Sequence, residues 1–318
     1  MSDVVLPTGT QHEVIYEGGE PGPSPDLIIR EQRAWVVEVG GGLREYTVGG
    51  RPVLDGYPAQ RRCTGGRGQV LVPWPNRVRD GRYSFAGSEL QLDLSEPAKG
   101  NASHGLARWR AWTAAEPTSP GTVRMSHLLH PQPGYPFILE LGVEYVLAQD
   151  GLTVTLSARN RGREPCPYGA GQHPYLHAGP GGVDGATLHL RAATRLISDE
   201  RSIPVGREAV VGSPYDFNGP RAIGSLVLDT CFTDLARDGD GIARAILDTG
   251  ERLLTLWIDE AFRCLMVFSG DTLPPEERRR GLAVEPMTCP PNALQSGEDL
   301  VVLEPGETHT ARWGIEVA

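Results

Sequence analysis

Lysine is nearly missing from this 318-residue sequence: Lys99 is the only one, so the 30 basic residues are almost all arginine. Lys99 sits between Ala98 and Gly100, so there is no Gly-Lys-Ser/Thr phosphate loop, and Schiff-base chemistry has a single candidate amine. Basic charge is short as well. Against 40 Asp and Glu the formal net charge is −10. Such a chain lacks the counterion release that drives nucleic-acid binding, so no nucleic-acid partner is expected. No window approaches 18 consecutive apolar residues, so no membrane span is expected. Residues 1–26 show no basic stretch leading into an apolar run, which argues against a secretory leader. The five cysteines are odd in number and form no C-x-x-C, which reads as a reduced, cytoplasmic chain. The motifs G-x-S-x-G, H-E-x-x-H and G-x-G-x-x-G and the EF-hand loop are all absent. These absences disfavour an α/β-hydrolase, a zincin and a dinucleotide enzyme. Helical periodicity is missing too; residues 274–280 offer one or two turns at most.

Turn residues and short alternating runs are abundant. There are 40 glycines and 27 prolines, scattered without period, which excludes collagen and favours a fold rich in hairpins. Trp35, Val37 and Val39 alternate with other residues, Gly40–Gly42 follow, and residues 43–48 return as a hairpin partner. Residues 137–159 predict a longer hairpin, turning at Asp150-Gly151. Further runs occupy 253–258, 265–268, 300–303 and 311–317. Many strands without intervening helices predict an all-β protein, a large antiparallel β-sandwich with few short helices. No fixed repeat supports a propeller. Residues 27–318 read as one domain and residues 1–26, rich in Gly and Pro, as a loose arm or peripheral strand.

Five segments carry more chemistry than a plain sandwich needs. Residues 72–81 (VPWPNRVRDG) join an aromatic, Asn76 and Arg77 in a Pro-braced loop, suited to hydroxyl recognition or simply to a rigid loop with surface arginines. Residues 101–105 place His104 among small neighbours, where a ligand can approach or the ring can bond backbone. Residues 169–177 hold His173, Tyr175 and His177. A zinc pair at this spacing needs a helix face, which Pro174 and the glycines oppose; on a strand the two histidines stand ~13 Å apart. No metal is therefore expected, and His173 reads as a lone acid with Tyr175 beside it. Asp229 lies in Leu-Asp-Thr-Cys-Phe-Thr, either a hydroxyl acceptor or a turn acid. Glu285 ends the apolar run 281–284 and precedes Pro286. A carboxylate in that setting is either paired or shifted in pKa, as a structural ion-pair member or a general base.

In this order, the segments resemble the aldose 1-epimerase (galactose mutarotase) family over roughly residues 30–318. Asn76-Arg77, Asn-x-x-His-Gly at 101–105, His-Pro-Tyr at 173–175, Leu-Asp-x-x-Phe-Thr at 228–233, Val-Glu-Pro at 284–286 and the closing Leu-Glu-Pro-Gly-Glu-Thr at 303–308 carry the likeness. The resemblance implies the family's galactose mutarotase-like supersandwich with an open sugar cleft, working without cofactor. It implies Glu285 as general base and His173 as general acid. His104, Arg77 and Asp229 would hold sugar hydroxyls, with Asn76 and Tyr175 beside them. The expected partner is a galactose- or glucose-like monosaccharide, and the expected assembly a monomer or homodimer. Pro174 stands where members commonly have Ser. Trp74, Tyr175 or Trp257 would supply an apolar face to the sugar. Three other functions remain open: an epimerase of a phosphorylated hexose, which needs converging arginines; a non-catalytic carbohydrate-binding sandwich; and a glycoside hydrolase pairing Glu285 with Asp229.

Overall fold

A computed structural model describes residues 5–18, 31–115 and 121–318. The regular structure of the described residues is almost all antiparallel strand, and the two α-helices among them, Gly182–Gly185 and Ala293–Ser296, have four residues each. Two large sheets form the sandwich. The nine-stranded sheet runs, in spatial order, Thr113–Ala114, Thr122–Leu129, Leu139–Ala148, Gly151–Asn160, Thr308–Val317, Leu253–Ile258, Ala243–Asp248, Thr187–Leu190 and Arg221–Ala222. The eight-stranded sheet runs Pro204–Ala209, Ala192–Ser198, Asp229–Leu235, Cys264–Phe268, Gly281–Met287, Gly171–Gln172 and Val70–Leu71, and Tyr175–His177 also pairs with Gly281–Met287.

The strands form where apolar and polar residues alternate. Leu139–Ala148 buries every second side chain, and Gly151–Asn160 pairs with it from Leu139↔Asn160 to Ala148↔Gly151. The loop is therefore Gln149-Asp150, with Gly151 already in the ladder at φ 122°. The earlier hairpin, Gln32–Val37 with Leu43–Val48, carries a bulge at Trp35/Val36. Within the span read as an arm, Gln11–Tyr16 forms an edge strand on Gln32–Val37; residues 1–4 and 19–30 lie outside the described residues. Residues 275–279 are consecutive turns rather than helix, and Arg279 at φ 54° leaves the helical region.

The central strands of the eight-stranded sheet are buried on both faces, and successive side chains alternate between them. Leu282 and Val284 point into the main core, as do Leu265, Val267 and Phe232. Gln172 shares that inner side. It donates to Tyr145 Oη (2.8 Å) and to the Gly68 carbonyl (3.1 Å), and it accepts from Trp313 Nε1 at 3.1 Å, so it ties the two sheets together. The neighbours of these residues, His173, Glu285 and Met266, line a cavity on the opposite face. No helix among the described residues is long and apolar enough to cross a membrane.

Candidate active site

One register brings two distant segments into contact. Gly171 pairs with Met287, and Tyr175 pairs with Ala283. The same antiparallel register sets residue 173 opposite residue 285. The ladder is interrupted there: Pro174 and Pro286 cannot donate, and the His173 amide donates instead to the Gln69 carbonyl (3.1 Å). The cross-strand pair meets directly, His173 Nε2 to Glu285 Oε1 at 3.2 Å, with side chains only 6% and 3% exposed. Glu285 Oε2 and His173 Nδ1 have no hydrogen-bond partner.

Burial dominates the electrostatics of this pair. It pushes the Glu285 carboxyl well above the usual carboxylate range; the Asp229 charge adds to the rise and Arg77 opposes it. It also lowers His173 to about 3, with the Arg67 charge assisting. Both shifts favour the neutral forms. Nε2 and Oε1 stand within hydrogen-bond distance, so the two groups titrate as a coupled pair.

The other candidate residues surround the pair. Asn76, Arg77, His104, Tyr175 and Asp229 line the same cavity of about 580 Å³ as His173 and Glu285, a size typical of small-molecule sites. Asn76 and His104 both take positive φ (54° and 60°), and the His104 amide donates to the Asn76 carbonyl at 2.7 Å. The His104 ring lies 5.6 Å from His173, and its Nδ1 has no partner. Burial holds His104 well below the ordinary histidine range, with the His173 charge adding. Arg77 is gripped by Glu96 through Nε (2.7 Å) and Nη2 (3.0 Å), while its Nη1 faces Asn76 Oδ1 at 3.5 Å. Asp229 projects from its strand two strands away from Glu285, so the partner in contact with Glu285 is a histidine and not a second carboxylate.

Tyr175 lies parallel to His173, with ring centroids 4.9 Å apart and an interplanar angle of 5°, and the Arg67 guanidinium sits 4.6 Å from its ring centre. Its hydroxyl donates to the Gly65 carbonyl at 2.8 Å. Tyr175 therefore braces His173. The loop above must pass close by: a Cβ on Gly66 (φ +75°) would stand 2.8 Å from His173 Cδ2.

Two aromatic expectations fail. Trp74 is buried in the core against Tyr135, and Trp257 belongs to the nine-stranded sheet, where it packs over Gly314. Trp109 and Phe268 line the cavity instead. Sequence reasoning also missed Glu96, Arg62 and Arg108. The run Arg108-Trp109-Arg110 was the available signal, an indole flanked by cations just after the His104 loop. His177 lines a separate crevice with Thr249 and Glu251, so it shares no site with His173. Among the described residues no three His, Cys, Asp or Glu side chains are grouped to hold a metal ion.

The family model for aldose 1-epimerase matches residues 29–316. The chain belongs to that family. This epimerase-family chain is 34% identical to the uncharacterised Escherichia coli K12 protein YihR over 92% of its own length and 93% of the relative's. Its fold matches the GalM/aldose epimerase homologue of C. elegans at TM-score 0.83 and 15% identity, over 97% of this chain and 99% of that one. It matches the galactose 1-epimerase of Lactobacillus acidophilus NCFM at TM-score 0.77 and 18% identity, covering 97% and 98%. These distant likenesses establish the shared galactose mutarotase-like fold.

Proposed function

We propose that residues 27–318 act as one domain that interconverts the α and β anomers of an aldohexose, with Glu285 as general base and His173 as general acid. The observation that carries this reading is the buried contact between His173 Nε2 and Glu285 Oε1 at 3.2 Å, both lining one cleft with Asn76, Arg77, His104 and Asp229. The working state places one proton on His173. Glu285 takes the proton from the C1 hydroxyl, the C1–O5 bond breaks as C1=O1 forms, and His173 gives its proton to O5. An ion pair thereby becomes a neutral pair, the form that burial favours, so the environment assists ring opening. Rotation about C1–C2 presents the other carbonyl face. Closure returns the O5 proton to His173 and the Glu285 proton to O1. No covalent intermediate forms. Arg77, His104 and Asp229 hold the remaining hydroxyls, so the open aldehyde stays in register.

The five free, buried cysteines support a reducing, cytoplasmic setting. Anomer exchange at equilibrium, read by exchange NMR on galactose and glucose, tests the reading. Wild type accelerates exchange, and Glu285→Gln slows it by about 10²–10⁴-fold. Sugar binding without accelerated exchange would instead make the chain a carbohydrate-binding sandwich.

A further inference from the structure

Among the described residues five arginines lie over aromatic rings, and three of them have a carboxylate to balance the charge. Arg44 over Trp35 bonds Glu45 at 2.9 Å. Arg67 over Tyr175 bonds Asp55 (3.2 Å) and Glu277 (2.9 Å). Arg195 over Tyr215 bonds Glu208 at 2.8 Å.

The other two differ. Arg62 and Arg108 both lie against Trp109, with guanidinium carbons 5.6 and 5.4 Å from its ring centre, and all three line the cleft. Neither guanidinium has a hydrogen bond or ion pair among the described residues. Glu96 holds Arg77 with both oxygens, and Glu277 accepts from Arg67 and Thr64 through Oε2. Two like charges on one indole repel, and among the described residues no carboxylate bonds either of them; Glu96 acts on Arg108 only through space. Burial even lowers the Arg108 guanidinium below the ordinary arginine value. Trp109 is 45% exposed, so the clip does not serve the core.

The charge of Arg108 reaches His104 and His173, as does that of Arg77, so cationic charge bears on the histidine side of the cleft. An anion between Arg62 and Arg108 would complete the balance that the other stacked arginines already have. Guanidinium pairs bind oxyanions through short, charge-assisted hydrogen bonds.

We propose that the substrate is an anionic aldose, a sugar carrying a phosphate- or sulfate-like oxyanion remote from C1, seated between Arg62 and Arg108 against Trp109. This rests on the assignment of Glu285 and His173 to the C1 end. The test compares glucose, glucose 6-phosphate and glucose 6-sulfate by exchange NMR for rate and by calorimetry for binding, using the full chain. Wild type turns over the anionic sugars with kcat/KM roughly 10–100-fold above glucose, the range of one or two charge-assisted bonds. Arg108→Gln and Arg62→Gln each cut that ratio about tenfold, and Arg108→Lys restores part of it. A preference for phosphate over sulfate identifies a dianion site, and equal treatment identifies charge recognition alone. No anionic preference in wild type, or a preference that survives the double substitution, overturns the proposal. If no sugar is interconverted, the epimerase reading fails by itself: 6-phosphate binding that weakens in Arg108→Gln still upholds the anion site, and binding that is absent or unchanged in that variant overturns it.

Discussion

The two faces of the eight-stranded sheet use the same strands for opposite ends. On the inner face, Gln172 is buried yet satisfied, with three hydrogen bonds that bridge to Tyr145, Trp313 and Gly68. On the cleft face, one residue along, His173 and Glu285 are equally buried but keep unpartnered atoms, as does His104. Leaving a buried polar atom unpaired costs about 1–3 kcal/mol, so such atoms persist where something other than folding keeps them. Polar groups on the inner face serve cohesion. Those on the cleft face are, in the proposed function, the groups that meet the sugar.

The sharpest way to break this contrast is to substitute across it on one strand. Glu285→Gln removes the base, and its ~10²–10⁴-fold loss of exchange comes with no loss of stability. Leu282→Ala, three residues away but inner-facing, loses about 2–5 kcal/mol by chemical denaturation while the folded fraction keeps its kcat/KM. If both variants lose activity and stability alike, the faces are not functionally separate.

A second test is pH. One proton on the pair is the working state. A second proton is added only as pH falls toward about 3, because burial lowers His173; the single proton leaves only well above 4.5, because burial raises Glu285. The kcat/KM profile is therefore bell-shaped with a broad top across neutral pH, and a limb at ordinary histidine pH would contradict the coupled pair. Stability follows the same logic. Burial raises Glu285 above its unfolded value of 4.5, so the folded state binds protons more readily there, and the stability this contributes is present below that pH and is lost as pH rises. Thermal melts of Glu285→Gln should match or exceed wild type at pH 7, with the gap closing below pH 4.5.

The smallest expected effect probes support rather than chemistry. Glu96→Gln loosens the grip on Arg77, and KM should rise about 3–10-fold with kcat nearly unchanged. A fall in kcat alone would move Glu96 from support to chemistry.

Much of the lining of the candidate site was legible before the fold. The seven residues taken from the family's motifs, including Asn76, His104 and Asp229, all line one cavity. The apolar wall was not legible, because residue type alone cannot tell a core indole from a cleft indole. Trp74 and Trp109 look alike in sequence, and only packing buries one beneath Tyr135 and leaves the other at the cleft. The turn at 149–150 slipped by one residue, since Asp150-Gly151 is a favoured pair but cross-strand register sets where the ladder ends.

Alternation, turn residues and the lack of helical period determined by themselves that this chain is an antiparallel β-sandwich, because burial on a pleated strand has a period of two whatever its neighbours. Which residues stand opposite one another was decided only in three dimensions. His173 and Glu285 are 112 positions apart in the chain, and a one-residue slip of either strand would turn one of them into the core. The pairing of Arg62 with Arg108 over one indole, with no carboxylate bonded to either among the described residues, has the same origin. Charge balance belongs to neighbours in space, and the sequence fixes those neighbours only through the completed packing.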